Sequence, residues 1–118
     1  KVTDDDLEII KEETFGPVLP VRIVRDEEEA IKLANDSDYG LGATVWTSDP
    51  VKGEAIARRL EAGNVWINEC GRTINCGELF QGWKCSGIAS SSRRLSLFLK
   101  KRTIVNNRSC QARPHWFK

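Results

Sequence analysis

The chain has 118 residues, 40% of them apolar and 30% charged, enough for one small domain with an ordinary core. No apolar run approaches the ~20 residues that span a bilayer, and residues 1–6, with three consecutive aspartates, do not resemble a signal peptide. The net charge of +1 conceals a split: residues 1–83 carry 17 acidic and 9 basic side chains, a balance of −8, whereas residues 84–118 carry 9 basic and no acidic ones, +9.

That split marks either a basic tail for nucleic acid or another polyanion, or two segments that attract each other in a larger assembly. Methionine is absent even at position 1, so the chain reads as a fragment or a processed piece. The four cysteines, Cys70, Cys76, Cys85 and Cys110, form no C-x-x-C pair, and the single histidine, His115, stands apart from all but the last. A zinc site is therefore not expected, and the cysteines read as reduced thiols of an intracellular, cytoplasmic protein.

In chain order, residues 18–24 predict a short strand, with Val18, Leu19, Val21, Ile23 and Val24 as its apolar and β-branched members. Residues 26–35 predict a helix. Asp26 suits the N-cap, three glutamates complement the positive end of the helix dipole, and Ala30, Ile31 and Ala34 form an apolar stripe. Gly40 and Gly42 are turn or close-packing positions, and residues 43–47 predict a second strand. Ser48-Asp49-Pro50 opens a second helix, in which Glu54, Ala55, Ala57, Leu60 and Ala62 fit helical spacing and Gly63 is the expected C′ residue. Residues 64–68 predict a third strand. The alternation argues for an α/β fold, a βαβαβ core of parallel strands joined by right-handed crossovers. Beyond it, residues 69–80 are loop-like, residues 90–94 form a polar break, residues 95–99 are apolar, and residues 103–106 predict a weak strand.

Four motifs add chemistry to this outline. Glu12-Glu13-Thr14-Phe15-Gly16-Pro17 opens the series. It is followed by Asn35-Asp36-Ser37-Asp38-Tyr39-Gly40-Leu41-Gly42-Ala43, by Leu60-Glu61-Ala62-Gly63-Asn64-Val65-Trp66-Ile67-Asn68, and by Gly82-Trp83-Lys84-Cys85-Ser86-Gly87. Read alone, Glu12-Glu13 is a solvated acidic pair ahead of a strand. Read together, the four resemble the E-E-x-F-G-P, N-D-x-x-Y-G-L-x-A, L-x-A-G-x-V-W-x-N and G-x-K-x-S-G signatures of the NAD(P)-dependent aldehyde dehydrogenases, in order and at fitting spacing. The resemblance covers residues 4–88. It implies that residues 1–88 are the carboxyl-terminal part of that family's catalytic domain and that residues 89–118 form a diverged, irregular tail with a strand for oligomerisation.

By that resemblance Glu13 and Phe15 are cofactor-binding. Glu13 would accept hydrogen bonds from the two vicinal hydroxyls of the nicotinamide ribose of NAD or NADP, bonds that a charged acceptor strengthens. Phe15 flanks it. The loop after the third strand would line the aldehyde tunnel, where Phe80 is either a substrate-pocket aromatic, able to hold a quaternary ammonium by cation–π contact, or plain core. The closing Trp116-Phe117-Lys118 resembles the aromatic ending of betaine and amino-aldehyde members. The family's nucleophilic cysteine, general base, oxyanion asparagine and dinucleotide-binding unit all precede the E-E-x-F-G-P motif. No catalytic residue is thus assigned here, and the isolated chain is expected to be inactive. Two departures stand out: Gln81 occupies the position of a usual glycine, and residues 89–94 replace the family's G-R-E-L-G.

The expectation is therefore a fragment of an oxidoreductase that oxidises a small aldehyde to the carboxylic acid through a cysteine thioester. The full-length form is expected to be a homo-oligomer, with no metal, nucleic acid or membrane partner. A non-catalytic dehydrogenase-derived binding or regulatory module is the alternative, and a nucleic-acid-binding basic tail the weaker one.

Overall fold

The computed structural model describes residues 7–69, 82–87, 99–100 and 102–108. They fall into two compact units, Lys1–Ser37 and Asp38–Lys118.

In the first unit a single turn, α1 (Glu8–Lys11), precedes the E-E-x-F-G-P motif. The helix expected at residues 26–35 forms as α2 (Glu27–Asn35). Asp26 is its N-cap, extended in backbone, and its Oδ1 accepts from the Glu29 amide at 2.9 Å. Ile31 is its buried residue.

The strand expected at residues 18–24 does not form. These residues carry no ladder, and Leu19 and Ile23 are 83% and 70% exposed. β-branched composition is insufficient by itself, no segment among the described residues pairs with this one, and Pro20 removes one donor from its middle.

The second unit carries the parallel sheet. β1 (Tyr39–Gly40) is followed by β2 (Gly42–Val45), α3 (Pro50–Arg59), β3 (Asn64–Ile67), β4 (Trp83–Lys84) and β5 (Thr103–Asn106). β2, β3 and β5 form one sheet in that order, parallel throughout, with Val65 opposite both Ala43 and Ile104. β1 and β4 pair antiparallel, Tyr39 with Lys84 and Gly40 with Trp83. This is an α/β fold with parallel strands, built on the β2–α3–β3 crossover.

The core lies between α3 and the sheet: Val45, Ala57, Leu60, Ala62, Val65 and Ile67 are buried together, with Ala43, Ile56 and Ile104 packed against them. Successive residues of β3 point to opposite faces, yet all four are buried, the mark of a strand covered on both sides. Each fully buried aliphatic side chain, such as Val65 or Ile67, contributes about 1.5–3 kcal/mol.

α3 starts as expected. Asp49 Oδ1 accepts from the Val51 and Lys52 amides at 2.9 and 3.1 Å, and Pro50 stands at the first helical position. It ends earlier than expected: Leu60 is already extended at φ −75°, ψ 135°. Gly63 is not its C′ residue. The Gly63 amide donates to the Gly40 carbonyl at 2.9 Å instead, and its own carbonyl accepts from Thr103 at 2.9 Å. The sheet takes this glycine's backbone groups, so they are not available to close the helix.

Candidate functional site

In the first unit, α1 ends where the Glu12 amide donates to the Glu8 carbonyl at 2.8 Å. From Glu13 the backbone runs without helix or strand, and the Val18 amide donates to the Gly16 carbonyl at 2.8 Å, closing a tight turn around Pro17. Glu13 is exposed, and Phe15 is 93% exposed. An exposed carboxylate two residues from an exposed ring leaves both open to a ligand with one polar and one flat surface. Each of the two expected cofactor residues therefore sits on an accessible segment.

The charged groups further along this unit are engaged structurally. Arg25 donates to Glu29 Oε2 from its backbone amide at 2.7 Å and from Nε at 3.1 Å. That backbone bond, then the side-chain bond, holds the Glu29 carboxyl below the usual glutamate range, and the same side-chain bond raises Arg25. A shallow cleft of about 500 Å³ lies among Arg22, Arg25, Asp26, Glu28, Glu29 and Lys32. Acidic and basic groups share it, so it presents no single-sign field to a charged ligand, and neither Glu13 nor Phe15 lines it.

In the second unit, three of the motifs meet. The Asn64 amide and Asn64 Nδ2 both donate to the Leu41 carbonyl, at 3.2 and 2.8 Å. The Cys85 amide donates to the Asp38 carbonyl at 3.0 Å, and Ser86 Oγ accepts from the Gly40 amide at 2.8 Å. The turn that carries Lys84 and Cys85 closes through the Ser86 amide to the Trp83 carbonyl at 3.0 Å. A Cβ on Gly82 would stand 2.5 Å from the Ser86 carbonyl oxygen, so the first glycine of G-x-K-x-S-G permits a backbone contact that no other residue fits. Lys84 is at φ 51°, and its ammonium pairs with Glu61 Oε2 at 3.0 Å. The lysine and serine of this motif thus bind the chain to itself. Cys85 is a free, exposed thiol in the same turn.

Buried polar residues collect at the carboxyl ends of the parallel strands, where sequence reading had placed only the loop from Glu69 and gave no role to Asn68 or Asn107. Asn68, Glu69 and Asn107 are 7%, 6% and 6% exposed. Asn68 takes φ 55°, its Oδ1 accepts from the Thr47 amide at 2.8 Å, its amide donates to Val45 at 2.8 Å, and its carbonyl accepts from Asn107 Nδ2 at 3.1 Å. One asparagine therefore ties the ends of β2, β3 and the segment after β5. The available signal was the general rule that open α/β sheets place ligands at strand carboxyl ends. Phe80 and most of the loop at residues 69–80 lie outside the described residues, as do Cys70, Cys76 and Cys110. Among the described residues no group of three or more His, Cys, Asp or Glu side chains could hold a metal.

Sheet, crossover helix and the motifs that lock them together define a parallel α/β unit. The chain belongs to the aldehyde dehydrogenase family, which it matches over residues 1–104. It is 39% identical over 115 residues to a 4,4'-diapolycopene aldehyde oxidase of a Methylomonas species, covering 94% of this chain and 22% of that one. It is 44% identical over 91 residues to acetaldehyde dehydrogenase 2 of Cupriavidus necator, covering 77% and 18%. Among solved structures, betaine aldehyde dehydrogenase from Staphylococcus aureus in complex with NAD+ superposes with a TM-score of 0.69 at 42% identity, over 73% of this chain and 17% of that one. The chain spans about a fifth of the length of the curated relatives it matches.

Proposed function

We propose that the chain forms the cofactor-ribose and structural part of an enzyme that oxidises an aldehyde to a carboxylic acid with NAD or NADP as hydride acceptor. The observation that carries this reading is the pairing of family membership with an accessible Glu13-Thr14-Phe15 segment. Solved relatives in complex with NAD+ support NAD as the acceptor.

The residues present fit such a cofactor. Glu13 is an exposed carboxylate, suited to accept from two vicinal hydroxyls, and charged acceptors make roughly twice the bond of neutral ones. Phe15 offers a face or edge beside it. The bound nicotinamide would supply hydride acceptance; Glu13 would fix where the ribose sits, and orientation of this kind is worth several kcal/mol in a bimolecular step. Asn68, at the end of β3, would hold the start of the aldehyde-facing loop in place through its three hydrogen bonds. The cysteine thioester on which the oxidation depends would form on a nucleophile outside these 118 residues.

The test is Glu13→Gln in a full-length protein carrying this chain. The substitution keeps shape and removes charge. Single-turnover hydride transfer and cofactor affinity should both weaken, by about 1–3 kcal/mol, roughly 5- to 150-fold. Unchanged hydride transfer and unchanged cofactor affinity would refute the assignment.

A further inference from the structure

We infer that Arg102 is a clasp, a helix cap supplied from the tail that ties β5 to the last turn of α3. That helix has no cap of its own: Leu60 is extended, and Gly63 is occupied in the sheet. The final carbonyls of a helix have no partner within it and must find one elsewhere. Arg102 supplies it. Its Nη1 donates to the carbonyls of Ala57, at 3.2 Å, and of Arg58, and its Nη2 donates to that of Leu60 at 2.5 Å. A guanidinium suits the task. It carries several donors in one plane, and its charge opposes the negative end of the helix dipole.

A second set of contacts secures the same side chain. The guanidinium lies over the Trp83 ring, 4.5 Å from its centroid, and the Lys100 ammonium approaches that ring at 5.7 Å. Both are within cation–π range. Burial pulls the Arg102 guanidinium below the ordinary arginine range, and Arg58 adds to this while Glu61 opposes it. The charge therefore sits where desolvation disfavours it, held by carbonyl dipoles and an aromatic face.

The next residue makes the connection mechanical. The Thr103 amide donates to the Gly63 carbonyl at 2.9 Å and starts β5, whose end is marked by the Asn107 amide donating to Ile67 at 2.9 Å. The helix cap and the first ladder bond come from adjacent residues. The end of α3 and β5 therefore open as one unit, and part of the basic excess of the tail is consumed in closing the fold.

Amide hydrogen exchange in the full chain tests this, with wild type compared to Arg102→Gln and Arg102→Lys. In Arg102→Gln the Thr103 and Asn107 amides and the last-turn amides of α3 should exchange about tenfold faster or more, the scale of losing one or two charge-assisted bonds. The Asn68 amide, bonded to Val45 at 2.8 Å, should keep its protection. Arg102→Lys keeps the charge but not the fork and should fall between, and it carries the same comparison if the glutamine variant does not fold. Trp83→Leu should accelerate the same amides. Unchanged exchange at Thr103 and Asn107 in the Arg102 variants would overturn the clasp. So would equal acceleration at Asn68 in Arg102→Lys, or an α3 end that stays protected while β5 opens.

Discussion

Gly53→Ala sets two opposed effects against each other at a position the structure defines closely. Gly53 lies in the interior of α3, where replacing glycine by alanine ordinarily stabilises by about 0.5–1 kcal/mol through lost unfolded-state freedom. Here a Cβ would stand 2.9 Å from Ile67 Cγ2 and 2.9 Å from Thr47 Cγ2. Neither neighbour yields easily. Ile67 is fully buried in the central strand, and Thr47 is held by its amide bond to Asn68 Oδ1 and by the Asp49 amide on its own Oγ1. Overpacking of this kind costs about 1–3 kcal/mol, so the clash should win by roughly 1 kcal/mol or more. In urea unfolding, with a slope of about 1–3 kcal/mol per molar, the midpoint should fall by about 0.3–1 M at unchanged slope. Thr47→Ser removes one of the two opposing methyls and keeps the hydroxyl, so the double variant should recover part of the loss in a double-mutant cycle. A Gly53→Ala midpoint above wild type would show that propensity outweighs contact and would refute the close helix–sheet packing described above.

Further expectations follow from individual contacts. Asp49→Ala removes the acceptor for two amides at the start of α3 and should cost about 1 kcal/mol by urea unfolding; an unchanged midpoint would count against the cap. Glu29, held below the usual carboxyl range first by the Arg25 backbone amide, contributes stability that is present above the ordinary glutamate range and lost as pH falls through its lowered value. A carboxyl chemical-shift titration should place its midpoint below the usual glutamate range, and a midpoint within that range would remove the claim. For the basic tail, weak duplex-DNA binding that near-physiological salt abolishes is expected, since Lys84 pairs with Glu61 and Arg102 with helix carbonyls. Tight binding that survives such salt and disappears when the chain is truncated after Ile88 would favour a nucleic-acid role instead.

Much of the fold was legible in local residue order. Asp26 and Asp49 announced both long helices because an N-cap is a contact between neighbours in sequence, three residues apart or fewer. The strands at β2, β3 and β5 followed from short β-branched runs, and the parallel pairing of β2 with β3 from the helix between them, whereas the place of β5 beside β3 in the same sheet came only from the structure. The motifs pointed to Glu13 and Phe15 as candidates, and both are exposed. Two features depended on partners distant in sequence. Residues 18–24 have the composition of a strand, but a ladder needs a second chain segment, and the described residues supply none. Gly63 has the look of a helix terminator, yet its amide and carbonyl go to Gly40 and Thr103, while the carbonyls it was expected to leave behind are taken by Arg102 from the far end of the chain. A helix start is written in adjacent residues. This helix end was decided by tertiary packing, because its donor lies more than forty residues away and reaches it only when the sheet has formed.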